Sequence, residues 1–479
     1  MMKERYSPIE SKRVELKELF SSSDDFQAND HLFEEGECEL IYIDSLVKRQ
    51  YLDQYILPEL AVASFPVDHL KKAFQGEDVT DRSSEQLADL LLEGKALFLF
   101  PEGITSLEAA DLPKRAPEES ALETSIRGPK DGLVEDLNTN ISLVRRRLSS
   151  PALSIEKRTI GKRSKTNIAI LYLKDVLDQR ILDELHERLD RIDIDILASS
   201  HELESLIEDH PYSIFPTLDY TGRPDYIVES LNQGRFALMV DGSPTVSIAP
   251  VNLLLQVKSP EDMNINYFFV SLERLLRGVA VMISAFLPGV WVAFSAYNIE
   301  QIPYPLVATI STSRFGLPLS APLEMFIVLF LFEFFNEAGI RLPRAIGQTV
   351  SVLGGLIVGD AAIRAGLTSP TMLVVGAITY ISSFTVVNQS LKSGLTTLRF
   401  IVLLMSTLFG VLGILLSYIL TILYLASKSS FGSLYLGSVA PISGTEALKS
   451  FLRLPIQFYK TRTKSTSPRD KTREGGDNQ

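Results

Sequence analysis

"MFIVLFLFEFFNEAGIRLPRAIGQTVSVLGGLIVGD", Met325–Asp360, is a run apolar enough for lipid that nevertheless carries Glu333 and Glu337 and closes on Asp360. A carboxylate facing hydrocarbon is costly on every scale. Glu333 and Glu337 stand four residues apart and share one helix face, with Arg341 a further turn along. Asp360 and Arg364 make a second pair at the same spacing, and such pairing lowers the cost of charge near a membrane. Glu324 turns away from Glu333 and suits the membrane interface. The stretch therefore predicts a helical membrane domain with a protein-lined, polar interior.

Working outward, apolar segments run over 278–297, 323–338, 345–365, 371–387 and 398–426. The first has the length of a span, and the last is long enough for one tilted span. Arg274 and Arg277 precede the first segment, and Lys428, Lys449, Arg453, Lys460, Arg462 and Lys464 follow the last. By the positive-inside bias both ends are cytoplasmic, which requires an even number of crossings. The third segment is the expected exception, re-entrant or pore-lining. It is Gly-rich, follows Pro343 and contains Gln348, Asp360 and Arg364. Gly347, Ser351, Gly355 and Gly359 recur every four residues there, a groove for close helix packing. Gln348, Ser351, Gly355, Gly359 and Asp360 are the ion-pathway candidates that this helix presents.

The rest of the chain differs in kind. Its 479 residues average 46% hydrophobic and 22% charged, with a mean hydropathy of +0.13, because an apolar half is blended with a charged one. "ECELIYIDSLV" (Glu37–Val47) reads as a strand buried on both faces, with Leu40 and Tyr42 on one and Ile41 and Ile43 on the other. "SSEQLADLLLEGKALFLF" reads as helix, Gly94 break, strand. "DYIVESLNQGRFALMV" repeats that order around Gly234, a hint of two related α/β subdomains. Asp241-Gly242 is a hairpin turn signal, and "NIAILYLKDV" is a strand followed by an amphipathic helix. Between the units, Arg145, Arg146, Arg147, Lys162 and Arg163 belong to the one basic stretch. It reads either as a contact for an acidic partner or for lipid headgroups, or as a solvated helix and loop.

Several functions are excluded. A net charge of −12 argues against nucleic-acid binding. The single Cys38 rules out a disulfide framework and any multi-cysteine metal site. No secretory signal opens the chain. The five histidines are scattered, and no phosphate loop, HExxH, GxSxG or GxGxxG is present, so no enzyme, metal or cofactor is expected.

The stretches "RGPKDGLVEDLNTNISLVRRRLSSPAL", "IEDHPYSIFPT", "RPDYIVESLNQGRFALMVDGSP", "SPEDM" and "EAGIRLPRAIGQTVSVLGGLIVGDAA" together resemble the A subunit of GerA-type spore germinant receptors, from about Glu37 to Arg453. The resemblance implies a multi-pass protein of the spore inner membrane with a cytoplasmic N-terminal α/β domain. It also implies a homo-oligomeric ion channel or signal-transducing component working with a transporter-like B subunit and a lipoprotein C subunit. Asp360 stands where several relatives have Gln, and Phe334 and Phe335 replace smaller aliphatics, which leaves ion selectivity open. The expected layout is a variable segment 1–36, α/β subdomains 37–125 and 167–270 around a basic linker 126–166, a membrane domain 271–427 and a cytoplasmic tail 428–479. Competing readings are a secondary transporter-like subunit that binds the nutrient itself and a membrane-anchored scaffold. The absence of a duplicated membrane half disfavours the transporter, and the acidic pairs disfavour the scaffold.

Overall fold

The structure is a computed structural model that describes residues 8–33, 36–62, 66–109, 127–341, 359–437 and 451–473. Two five-stranded sheets come first. Strands β1 (Phe26–Phe33), β2 (Gly36–Ile43), β3 (Glu77–Asp78), β4 (Lys95–Phe100) and β5 (Gly103–Glu108) pair in the order β1-β2-β4-β5-β3. Strands β6 (Leu153–Ile160), β7 (Thr166–Leu173), β8 (Asp219–Thr221), β9 (Phe236–Val240) and β10 (Val246–Ala249) pair in the order β6-β7-β9-β10-β8. These are the same topology, antiparallel throughout.

Helices cover both faces of each sheet, so the central strands bury side chains on both sides. In the first unit α1 (Pro8–Leu19) and α2 (Ser84–Leu92) pack on the face of Ile41 and Ile43, while Leu40 and Tyr42 face a second core with Leu52, Ile56 and Leu70. A capping box between Ser83 and Gln86 fixes the start of α2. In the second unit α3 (Leu137–Arg147) and α6 (Pro224–Asn232) cover one face, and α4 (Gln179–Asp190) and α5 (Ser200–Ile207) the other. Gly94 and Gly234 stand at the same place in the two units, between helix and strand, and both have positive φ (89° and 77°). That backbone is one glycine adopts without strain.

The units are locked by buried charge. Arg145 and Asp25 are both fully buried, with Arg145 Nε 3.1 Å and Nη2 2.9 Å from the two carboxylate oxygens. Asp24 N–H donates to Ile155 O at 2.6 Å, and Asp24 Oδ2 accepts from Lys157 N at 2.5 Å, so the outer edge of β6 is capped by the first unit. Arg145 is thus not a surface contact for a partner or lipid; the aspartate 120 residues away makes its burial tolerable. Arg147 pairs with Asp131, Lys162 with Asp193 and Arg163 with Asp195, leaving Arg146 exposed. Acids of this chain neutralise most of the basic stretch.

The helical part follows. α7 (Tyr267–Val292) continues through a π turn to Tyr297, and α8 (Tyr304–Arg314), α9 (Ala321–Arg341) and α10 (Pro370–Ser383) come next. The last two are α11 (Gln389–Phe409) and α12 (Val411–Ala426). Among the described residues, two helices, Tyr267–Tyr297 and Gln389–Phe409, are long and apolar enough to cross a membrane, and α10 and α12 are shorter apolar helices.

The run 398–426 is not one tilted span. Gly410, with φ 57° and ψ −134°, breaks it into a hairpin. A Cβ on Gly413 would lie 2.1 Å from Met405 O across the turn, and Gly394 and Tyr424, at matching positions on the two helices, both touch Ile214. The helices therefore run antiparallel at backbone contact. α9 and α10 run parallel, with Glu324 beside Ser369 and Phe332 stacked on Tyr380. Most of the expected third segment, including Gly347, Gln348, Ser351 and Gly355, lies outside the described residues.

Candidate functional site

The residues that join sheets to helices form the most heavily built site. A single 3-10 turn, Pro260–Met263, is N-capped by Ser259 and stands between β10 and α7. Its consecutive acids point to different bodies. Glu261 Oε1 accepts from Arg223 Nη1 at 2.7 Å on the sheet side, while Asp262 accepts from Arg274 Nε at 2.7 Å and Arg277 Nη2 at 2.5 Å on α7. Arg223 also forks onto Asp225 at 3.0 and 2.7 Å. Asp262, Arg223 and Arg277 are buried, so each charge depends on its partner.

A second link runs from β8 to α11. Asp219 accepts from Tyr226 Oη at 2.8 Å and from Asn388 Nδ2 at 2.7 Å, and Asn388 is the N-cap of α11, its Oδ1 accepting from Leu391 N. Burial pushes the Asp219 carboxyl up despite these donors. A third link forms where the chain returns from α12. Asp209 accepts from Ser429 Oγ (2.7 Å) and Phe431 N (3.2 Å), and Phe431 packs edge-to-face on Phe236 under the Arg188 guanidinium. Tyr435 Oη donates to Gln256 Oε1 at 2.7 Å. Around these contacts Phe215, Val251 and Leu255 share one core with Val281, Ala285, Leu391, Leu395 and Val402. The tail closes back onto the second sheet unit through Arg453, Arg462 and Arg473.

Lys258 lies in this junction, and burial, reinforced by Arg274 and Arg235, pushes its amine down to about 7. Between that value and the ordinary lysine range the unfolded chain binds the extra proton, so stability rises with pH across about 7 to 10. A Lys258→Met chain is expected to melt above the wild type at pH 7, with the gap closing toward pH 10; paired melting curves check this.

The helices hold a polar interior. Glu324, in the first turn of α9, is fully buried within the protein: Oε1 accepts from Ser369 N (2.5 Å), Ser369 Oγ (2.6 Å) and Thr368 Oγ1 (3.1 Å), with Arg314 3.7 Å from Oε2. Glu333 is half-buried and accepts from Asn336 at 3.4 Å; Glu337 is exposed on the same helix, and Arg341 closes it. Asp360 and Arg364 form an exposed pair at 2.9 Å, while Gly359 packs against Leu373. Two cations within electrostatic reach of Glu333 escaped the sequence reading. Arg399 is buried and donates to Ser284 O at 2.7 Å, and Lys392 lies 4.4 Å over the Phe384 ring. Their seven-residue spacing on one face of α11 was the available signal. Among the described residues no cluster of acids, histidines and cysteine could hold a metal ion.

The model of the Bacillus/Clostridium GerA spore germination protein family matches residues 14–465. The chain belongs to that family. Spore germination protein XA of Bacillus anthracis is 43% identical to this GerA-family chain over 450 residues, covering 92% of it and 91% of the relative. Spore germination protein KA of Bacillus subtilis (strain 168) is 34% identical over 475 residues, covering 96% and 87%. The crystal structure of the N-terminal domain of the A subunit of the Bacillus megaterium spore germinant receptor GerK3 aligns with a TM-score of 0.36 and 25% identity, over 50% of this chain and 92% of that one.

Proposed function

We propose that this chain is the A subunit of a nutrient germinant receptor in the spore inner membrane, acting with B and C subunits as an oligomeric ion-conducting or signal-transmitting component. The helical part crosses the membrane an even number of times, with the sheets and both termini in the cytoplasm. With the last apolar run split in two by the Gly410 hairpin, an even number of crossings requires the third segment to cross as well, in place of the re-entrant exception. The observation that carries the reading is the junction: Glu261 and Asp262, neighbours on one turn, grip the sheet part and the first membrane helix separately. A shift of the helices therefore moves the sheets. The family-like stretches "IEDHPYSIFPT", "RPDYIVESLNQGRFALMVDGSP" and "SPEDM" all supply residues to this junction.

The polar interior supports conduction or transmission over a passive anchor. A Glu333→Gln chain removes the acid within electrostatic reach of Lys392 and Arg399 while keeping its shape. Nutrient-triggered ion release from spores carrying it is expected to change by about tenfold or more, the equivalent of about 1.4 kcal/mol. Unchanged release at normal protein abundance would remove Glu333 from the mechanism.

One observation favours the second reading, that this chain binds the nutrient itself. A cleft of 640 Å³ opens at the helix ends far from the sheets, lined by Ser295, Tyr297, Arg314, Ser320 and Thr407. Nutrient binding to the purified chain without its partners would favour this reading over the transducer.

A further inference from the structure

The loop between α5 and β8, His210–Pro216, is uncharged apart from its histidine, yet it projects from a charged domain. Ser213 N donates to His210 O at 2.9 Å, closing a turn with Pro211 and Tyr212 at its corner. Tyr212 is 99% exposed and Ile214 37%. An aromatic ring held out at a turn tip is the residue type that settles at a membrane–water boundary.

Its height can be read from the helices. Arg399 Nε meets Ser284 O, so parallel helices α7 and α11 are offset by 115 residues (399 − 284). Gly394 is then level with Val279 (394 − 115), just past Arg277, the last cation at the base of α7. The loop reaches that level: a Cβ on Gly394 would lie 2.6 Å from Ile214 O. From the other side, Tyr424 Oη near the end of α12 accepts from Ile214 N at 2.9 Å and meets Ser213 Oγ at 3.2 Å. Lys428 lies 4.5 Å over the Tyr424 ring, as a cation does where a helix leaves lipid. Beside the loop, the exposed Ile419, Leu420 and Leu423 of α12 continue the same surface toward the far end of the bundle.

We infer that the His210–Pro216 loop is a membrane anchor of the sheet part, placing Tyr212 and Ile214 in the headgroup–acyl boundary of the leaflet nearest the sheets. The inference rests on the membrane reading of the helices and adds a lipid contact made by the sheet domain itself. Through it, tilting or thickness change of the bilayer acts on β8, the strand that begins at Asp219, as well as on the helices.

The test uses the full chain in phosphatidylglycerol/phosphatidylcholine vesicles. Trp291 is the only tryptophan, so Trp291→Phe with Tyr212→Trp reports from the loop tip alone. The expected result is blue-shifted emission, quenched by lipids brominated high on the acyl chain and protected from aqueous iodide. Trp291→Phe with Tyr55→Trp, on the first sheet unit, should give water-like emission open to iodide. Water-like emission from position 212 in vesicles that hold Trp291 of the unaltered chain protected would overturn the anchor while leaving the membrane reading intact. Protection of position 212 that appears only when partner subunits are added would overturn it too, in favour of a protein contact. Should Trp291→Phe fail to assemble, a spin label on Tyr212→Cys gives the same depth through oxygen against water-soluble nickel collisions. Burial pushes the native Cys38 thiol up to about 12 and keeps it from competing for the label.

Discussion

Arg145→Ala is expected to lower the stability of the chain by about 3–5 kcal/mol, because it leaves Asp25 charged, fully buried and deprived of its cation. Among the described residues, the Ser45 hydroxyl, 2.8 Å from Oδ2, is then the one side-chain donor left to Asp25. Because the pair joins the two sheet units, the variant should lose their mutual docking before either sheet melts. Chemical denaturation of the detergent-solubilised chain checks this: one transition in the wild type should move to lower denaturant and broaden. Replacing both partners with apolar residues, Asp25→Leu with Arg145→Met, should recover most of the loss, since a buried ion pair exchanged for packed side chains is often near neutral. If Arg145→Ala melts like the wild type, the pair does not hold the units together.

Gly413→Leu is the second large effect, and it acts on assembly. The nearest neighbours of a Cβ at this position are backbone atoms, Met405 O at 2.1 Å and Ser406 N at 3.0 Å, so no rotamer change makes room. The α11–α12 hairpin would have to open, releasing Tyr424 from the sheet loop and Phe431 from its place against Phe236. Close backbone approach through small residues is how membrane helices gain packing without a hydrophobic driving force. The expected outcome is loss of most of the membrane-inserted, protease-resistant protein. Gly413→Ala should fall between this variant and the wild type, and wild-type abundance of Gly413→Leu would refute the hairpin.

How far the sequence spoke varies by element, for physical reasons. Strands such as Gly36–Ile43 and Phe236–Val240 were legible because both faces are buried and turn residues bound them. The Gly94 and Gly234 breaks were legible because few residues other than glycine tolerate that backbone. The Gly410 turn was hidden: apolar residues continue on both sides of it, and hydropathy does not register a reversal within an apolar run. Arg145 was misread because its burial depends on Asp25, a partner far along the chain that no local pattern reveals. The burial of Glu324 was hidden for the same reason, its hydrogen-bond donors coming from Thr368 and Ser369 and its cation from Arg314, all outside its own helix. The junction acids Glu261 and Asp262 stand in plain view in "SPEDM", but only the fold shows that they face opposite bodies.

On the proposed reading this junction transmits the signal between helices and sheets. The most direct measurement is nutrient-triggered ion release from spores carrying Asp262→Asn, with the amount of protein in the membrane determined alongside. The amide retains the shape but loses the charge that binds Arg274 and Arg277 together. The account predicts release slowed by about tenfold or more at near-normal abundance, as for loss of about 1.4 kcal/mol of coupling. Wild-type release from Asp262→Asn receptors present at wild-type abundance would contradict it.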